Sequence, residues 1–526
     1  MKSPTILTAL LSLIFLVGCQ TPASTDSMPV EEDQGVKFVV SFPEAARAEP
    51  LSGRVLLFLS ESDSGEPRKK LNWFNPSPVY AVDVVDLAPG ELVEFTEDDL
   101  SNPDALAFPD PLGRIAPGSY RVQALINHDQ TRRSFNDGPG NLYSEPQQVT
   151  LTKKLDATFE LEADQIVKAE EGKDTDWVKL VKVRSDLLSD FHGRDVFLRA
   201  AVQLPFGYED ETERQYPAYY VVPGFGGRHL GVLKREKKGG DAWDAWADGS
   251  NPFRGFEIVL DPDMPLGHSV FADSANNGPV GEALTTELVP AIEEQFRVIA
   301  EPSARFVGGH SSGGWSSLWL QVTYPDFFGG CWSTAPDPVD FRAFQTMNIY
   351  EDTNAHWTPT GQPRAVGRSR YEPTLLFPKF NHYENVLGWG GQLDSFDGVF
   401  SPRGEDGFPI RVMDKLTGAI NPEVVAYWKR YDIRLQVEEN WAELGPHLHG
   451  KLHIIGGAWD TFYLNLALEM LQTFLDAQDH GGYIEILPSN HGSFMTKKCV
   501  NASTKRSLIN FLPAENNARR GEVNIW

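Results

Sequence analysis

The chain is poor in cysteine, in positive charge and in long apolar runs, and each shortage closes off a class of protein. Three cysteines in 526 residues, with no Cys-x-x-Cys pair and no Cys/His zinc spacing, exclude a disulfide-stapled scaffold and a zinc module. Lysine and arginine number 47 against 73 acidic residues, a formal charge of −26. That balance repels phosphate backbones, so nucleic acid is not an expected partner. The apolar run from Ile6 to Val17 is too short to cross a bilayer and has the length of a signal h-region. There is no internal repeat and no low-complexity tract, which removes solenoids.

What remains is a globular composition, 41% hydrophobic and 23% charged, long enough for two to four domains. Met1-Lys2 leads into the apolar run, which ends in Leu16-Val17-Gly18-Cys19, the pattern of a bacterial lipobox. Residues 1–19 are therefore expected to be a signal peptide cleaved before Cys19, with lipid attached to its sulfur. Gln20 at the next position favours the periplasmic side of the outer membrane. Residues 20–34 are small and polar, a tether. Residues 35–163 carry short alternating runs such as Val36–Phe42, Gly53–Leu59, Gly118–Leu125 and Gln147–Leu151, separated by turn residues. This texture predicts an antiparallel, immunoglobulin-like β-sandwich of about seven strands. Trp73 and Phe74 could form a sugar platform there, with plain packing the stronger reading. The acidic stretch within 164–176 reads as a linker.

From Trp177 the texture changes. Apolar runs at 218–222, 256–260, 305–307, 331–333, 452–455 and 483–487 alternate with helical segments, notably 282–296 and 461–477. Such alternation predicts a doubly wound, mostly parallel α/β sheet over 177–526. The interval of about 337–450 is too long for a crossover and reads as an insertion over the sheet edge. Asp394, Asp397 and Asp406 within it read as a solvated loop. Asp241, Asp244 and Asp248 lack calcium-loop spacing, and His447 and His449 lack a third ligand, so no metal and no cofactor are expected.

The chemistry centres on Gly309-His310-Ser311-Ser312-Gly313, a Gly-x-Ser-x-Gly nucleophile elbow between a strand and an amphipathic helix. In an α/β-hydrolase the acid and the histidine follow the serine in that order, each on a loop after a strand. Asp460 follows the run ending at Ile455, and His491 follows the run ending at Leu487. Ser311 is the expected nucleophile, His491 the base and Asp460 its orienting carboxylate. Asp337, after the run at 331–333, is the rival acid. The oxyanion requires two backbone N–H groups. One is expected from Ser312 and the other from Pro223-Gly-Phe-Gly-Gly227, with Phe225 and Gly226 both candidates. Cys331 and Cys499 could pair, both approaching one sheet edge.

Tyr219-Tyr-Val-Val-Pro-Gly-Phe-Gly-Gly227, Gly309–Gly314, Tyr324-Pro-Asp-Phe-Phe-Gly-Gly330 and Asn490-His-Gly492 resemble the putative esterase family. That family holds S-formylglutathione hydrolases, feruloyl esterases, enterochelin esterases and mycolyltransferases. The resemblance spans roughly 177–512, interrupted by the insertion, and enterochelin esterases also carry an N-terminal β-domain. It implies a metal-free Ser-His-Asp hydrolase of small-molecule or oligosaccharide-linked carboxylic esters. Two alternatives use the same fold: an acyltransferase, and a non-catalytic binding lipoprotein. Pro223 stands where the family often has histidine.

Overall fold

The computed structural model describes residues 35–96, 105–152, 157–251 and 253–493. Cys19, the 1–34 leader and tether, and Cys499 lie outside them. Among the described residues no helix is long and apolar enough to cross a membrane.

The first part is a two-sheet β unit. Val36–Ser41 pairs antiparallel with Val93–Phe95 and parallel with Ala157–Glu162, forming a three-stranded sheet. A seven-stranded sheet is built around Leu51–Ser60 and Gly118–Asn127. Among the described residues, ten strands thus replace the expected seven, and the parallel pair departs from the expected all-antiparallel pattern. Alternate residues of both sheets (Phe38, Val40, Leu57, Leu59, Ile126, Leu161) fill one shared core. The run Val55–Ser60 is buried at every position rather than every second one. The other face of that sheet explains this: Leu56, Phe58 and Leu125 pack on Tyr383 and Val386, far along the chain.

The second part is an eight-stranded sheet: β1 (Val178–Ser185), β2 (Val196–Gln203), β3 (Ala218–Val222), β4 (Phe256–Leu260), β5 (Arg305–His310), β6 (Gly330–Thr334), β7 (Leu452–Gly457) and β8 (Tyr483–Leu487). Their spatial order is β1-β2-β4-β3-β5-β6-β7-β8, with β2 antiparallel to both neighbours and every other pair parallel. This is the α/β-hydrolase arrangement. Helix α1 (Ser312–Thr323) connects β5 to β6. Reversal of strand order at β3 and β4 leaves the carboxyl ends of β3 and β5 side by side, where ligands bind in open α/β sheets. Cys331 lies on β6, between β5 and β7, so it is buried inside the sheet rather than at an edge. Burial pushes its thiol up to about 12.

The 337–450 insertion does not hang over a sheet edge. Its helix α2 (Phe377–Leu387) packs on the outer face of the seven-stranded β sheet. Arg54 of the β unit donates from Nη1 to the carbonyls of Asn385 (2.7 Å) and Val386 (3.2 Å) at the α2 C-terminus. A cation there satisfies carbonyls that have no helical partner. The insertion therefore wedges the β unit against the hydrolase sheet.

Asp394 and Asp397, expected in solvent, are buried on the next helix, α3 (Gln392–Phe400); Asp406 is exposed. Lys415 Nζ reaches Glu384 (2.9 Å) and Asp394 (3.0 Å), while Arg411 reaches Asp394 at 2.6 Å. Charges this deep persist only when paired. Glu384 Oε1 in turn accepts from the Gln392 backbone N–H at 2.6 Å, fixing the start of α3.

Candidate active site

β5 ends at His310, and α1 starts two residues later. A turn that abrupt leaves Ser311 at φ 60°, ψ −122°, a region costly for a residue with a side chain. Its neighbours must be small. A Cβ on Gly309 would sit 2.4 Å from the Gly313 carbonyl oxygen, and one on Gly313 would sit 1.9 Å from that of Val222. The two elbow glycines are thus required by strand β3 lying beneath the turn. The Ser311 N–H bonds to the Thr334 carbonyl at 3.0 Å, tying the elbow to the end of β6.

Asp460 follows β7 on a short turn before helix α4 (Asn465–Leu475). Its carboxylate is buried, and Oδ1 accepts from the Phe462 N–H at 2.8 Å. Oδ2 stands 2.7 Å from His491 Nδ1, on the loop after β8. A carboxylate only accepts, so Nδ1 carries the proton and Nε2 is free to take one. The His491 ring lies between His310 (4.6 Å) and Phe462 (5.1 Å, edge-on). Burial, with His491 beside it, lowers His310 to about 4, so that imidazole is neutral at pH 7.

The rival acid sits elsewhere in the same site. Asp337 is buried against the elbow, 3.4 Å from Ser311 Oγ and 2.6 Å from Ser312 Oγ. Gln392, the first residue of α3, donates to Asp337 Oδ2 at 3.1 Å. Burial raises the Asp337 carboxyl to about 6 despite these donors. Asp337 therefore contacts the serines, while Asp460 holds the histidine.

After β3, Gly224 to Gly227 form a turn closed by a 2.9 Å bond from the Gly227 N–H to the Gly224 carbonyl. Gly226 takes φ 82°, a value that favours glycine. A Cβ on Gly224 would stand 3.4 Å from the Ser311 Cβ, so this turn rests directly on the elbow. The Ser312 N–H is the first of its helix and has no intrahelical partner. It and the turn's Phe225 and Gly226 amides are the candidate oxyanion donors. Behind the turn, buried His268 accepts from the Val270 N–H at Nδ1 (3.0 Å) and donates from Nε2 to the Pro223 carbonyl (2.9 Å). Burial drops this histidine to about 4, which keeps it neutral. Nothing in the local sequence marked His268 or Gln392 as part of this surrounding.

Ser311, His491, Phe225 and Asp337 line one cavity of about 220 Å³, largely walled by apolar side chains. Trp73 of the β unit also lines it. The other sequence candidates fall outside it: His447 pairs with Asp326 (2.8 Å) and His449 with the Asp479 carbonyl (3.0 Å), both on the surface.

A family model described as Putative esterase matches residues 196–379, about a third of the chain. Residues 196–379 belong to the putative esterase family. This segment starts at the first residue of β2, carries the Gly224–Gly227 turn, the elbow and Asp337, and stops before Asp460 and His491. No curated protein matches the chain. Among solved structures, the chain is similar to a ferulic acid esterase (13% identity, 60% of this chain and 91% of that one, TM-score 0.38). It is also similar to the Staphylococcus aureus fluorophosphonate-binding serine hydrolase FphF (14%, 60% and 91%, 0.34). A third is an S-formylglutathione hydrolase from Agrobacterium tumefaciens (14%, 61% and 92%, 0.35).

Proposed function

We propose that the chain hydrolyses carboxylic esters through an acyl-enzyme on Ser311. The observation that carries the proposal is the 2.7 Å Asp460–His491 contact beside a strained serine in one cavity. Ser311 Oγ rests toward Asp337; the reaction uses the rotamer that turns it to His491, since catalytic hydrogen bonds often tighten only with substrate bound. His491 Nε2 takes the hydroxyl proton as Oγ bonds to the acyl carbon. The carbonyl π electrons move to oxygen, which the Ser312 N–H and a turn amide receive. Collapse expels the alcohol, protonated by His491, and water then releases the acid by the same steps. Asp460 keeps the proton on Nδ1 and stabilises the imidazolium.

Export as a lipoprotein anchored at Cys19, on the periplasmic side of the outer membrane, and a division into β unit (35–163), linker (164–176) and hydrolase (177–526) are part of the same proposal, with Gln165–Ile166 at the start of that linker paired to Leu142–Tyr143 as a strand of the seven-stranded sheet. The first rests on the lipobox, the second on the change of texture near Trp177. A purified-protein assay with 4-nitrophenyl acetate tests the chemistry. Turnover that disappears in Ser311→Ala supports it, and equal turnover in the variant refutes it.

A further inference from the structure

The β unit reaches into the cavity through one loop, the connection between Leu51–Ser60 and Val79–Leu87. The loop is pinned at its base. Arg68, almost wholly buried, bonds Glu66 (2.7 Å) and Asn136 (2.7 Å), and its guanidinium lies 3.9 Å above the Tyr143 ring. Near the tip, Asn72 Oδ1 accepts from the Phe74 N–H at 2.9 Å, closing a tight turn around Trp73. The indole thus projects from a braced support. It meets Phe225 at 5.6 Å, Phe380 at 5.2 Å and Phe462 at 6.2 Å between ring centroids. These three rings come from the oxyanion turn, the insertion and the loop after β7. A second loop of the β unit braces the same turn: the Arg133 guanidinium lies 4.6 Å from the Phe225 ring and is held by Asp263 at 3.6 Å.

Trp73 is only partly buried although three aromatic rings surround it, so one face remains for a ligand. The cavity is smaller than the roughly 300–1,000 Å³ of sites for drug-sized ligands; it suits one ring-sized group. The side of the ester that Trp73 faces follows from the chemistry. The alcohol must leave from the His491 side, where it collects a proton. The carbonyl oxygen points to the Gly224–Gly227 turn, and Trp73 packs more closely on Phe225 of that turn (5.6 Å) than on Phe462 (6.2 Å), the ring that lies edge-on to His491. From this, and resting on the esterase reading above, we infer that Trp73 is a specificity-determining residue. It forms the wall that selects a flat, apolar acyl group, so the β unit is part of the substrate site rather than an appendage.

The experiment compares Trp73→Ala and Trp73→Phe with the unaltered full chain. Rates are measured on 4-nitrophenyl benzoate and 4-nitrophenyl acetate, which share a leaving group. Aromatic pairs contribute enough beyond area burial that losing the indole is expected to lower the benzoate-to-acetate ratio of kcat/KM about tenfold. The phenylalanine variant keeps most of the ratio. Because both esters report on the same folded molecules, partial unfolding cancels; a ratio within about twofold of the original overturns the inference. Benzamide, a neutral aryl acyl probe that needs no turnover, is titrated calorimetrically in parallel. It is expected to bind the unaltered chain and to bind Trp73→Ala at least about tenfold more weakly. No binding, or binding unchanged by the substitution, also overturns the inference. Trp73-dependent benzamide binding without turnover of any ester upholds the aryl wall and refutes the esterase reading instead.

Discussion

Replacing Asp337 by asparagine isolates a single buried carboxyl at the elbow. Its native pKa stands near 6 against an ordinary 3.8 because burial penalises the charged form more than its donors repay. The native state therefore holds this proton more tightly than the unfolded chain. The sign follows: the contribution favours folding at low pH, is lost as pH rises through about 4 to 6, and above that leaves a cost of about 3 kcal/mol. An amide at this position cannot titrate. It also accepts less from Ser311, Ser312 and Gln392, a pH-independent loss of about 1 kcal/mol. Urea unfolding of both proteins from pH 4 to pH 8 gives the difference curve, in which every other group cancels. Asp337→Asn is expected to gain about 2 kcal/mol relative to the parent between pH 4 and pH 7, the rest of the change falling below pH 4. Parallel curves across that range would show that Asp337 is solvated or fully compensated, and the reasoning would fail.

Three further outcomes are expected. Asp460→Asn keeps the shape but donates to His491 where the carboxylate accepted, favouring the wrong tautomer; in serine proteases that change costs on the order of 10⁴ in kcat. Several orders of magnitude should be lost in kcat here with KM little changed, whereas Asp337→Asn should cost far less; steady-state kinetics showing the reverse would move the acid to Asp337. Gly313→Ala places a Cβ 1.9 Å from the Val222 carbonyl oxygen, so it should displace the elbow and remove turnover along with several degrees of Tm, and a fully active, equally stable variant would contradict the packing. Cys19→Ser should release the protein from membranes into the soluble fraction of a bacterial host, and unchanged detergent partitioning would count against the anchor.

Features legible in the sequence are those written in local chemistry. The elbow announces itself because Gly309 and Gly313 tolerate no Cβ, and the strand runs of the large sheet are apolar because both faces are covered. Asp460 and His491 were readable as polar residues on short turns directly after strands. What escaped depends on packing between distant segments. Val55–Leu59 is buried on both sides because α2, far along the chain, covers the outer face of its sheet. Asp394 and Asp397 looked solvated because a carboxylate gives no sign of a lysine and an arginine folding onto it. Trp73 could be recognised as an aromatic near a turn, but only the docking of the β unit brings it to Phe225 and into the wall of the cavity that Ser311 also lines.

The central claim is that Ser311 is the nucleophile of an acyl-transfer site, and intact-mass analysis after reaction with an alkyl fluorophosphonate tests it most directly. One adduct per chain, mapping to the Ser311 peptide and absent in Ser311→Ala and strongly slowed in His491→Ala, is the predicted result. No adduct on the folded protein, or an adduct of equal yield in Ser311→Ala, would contradict it.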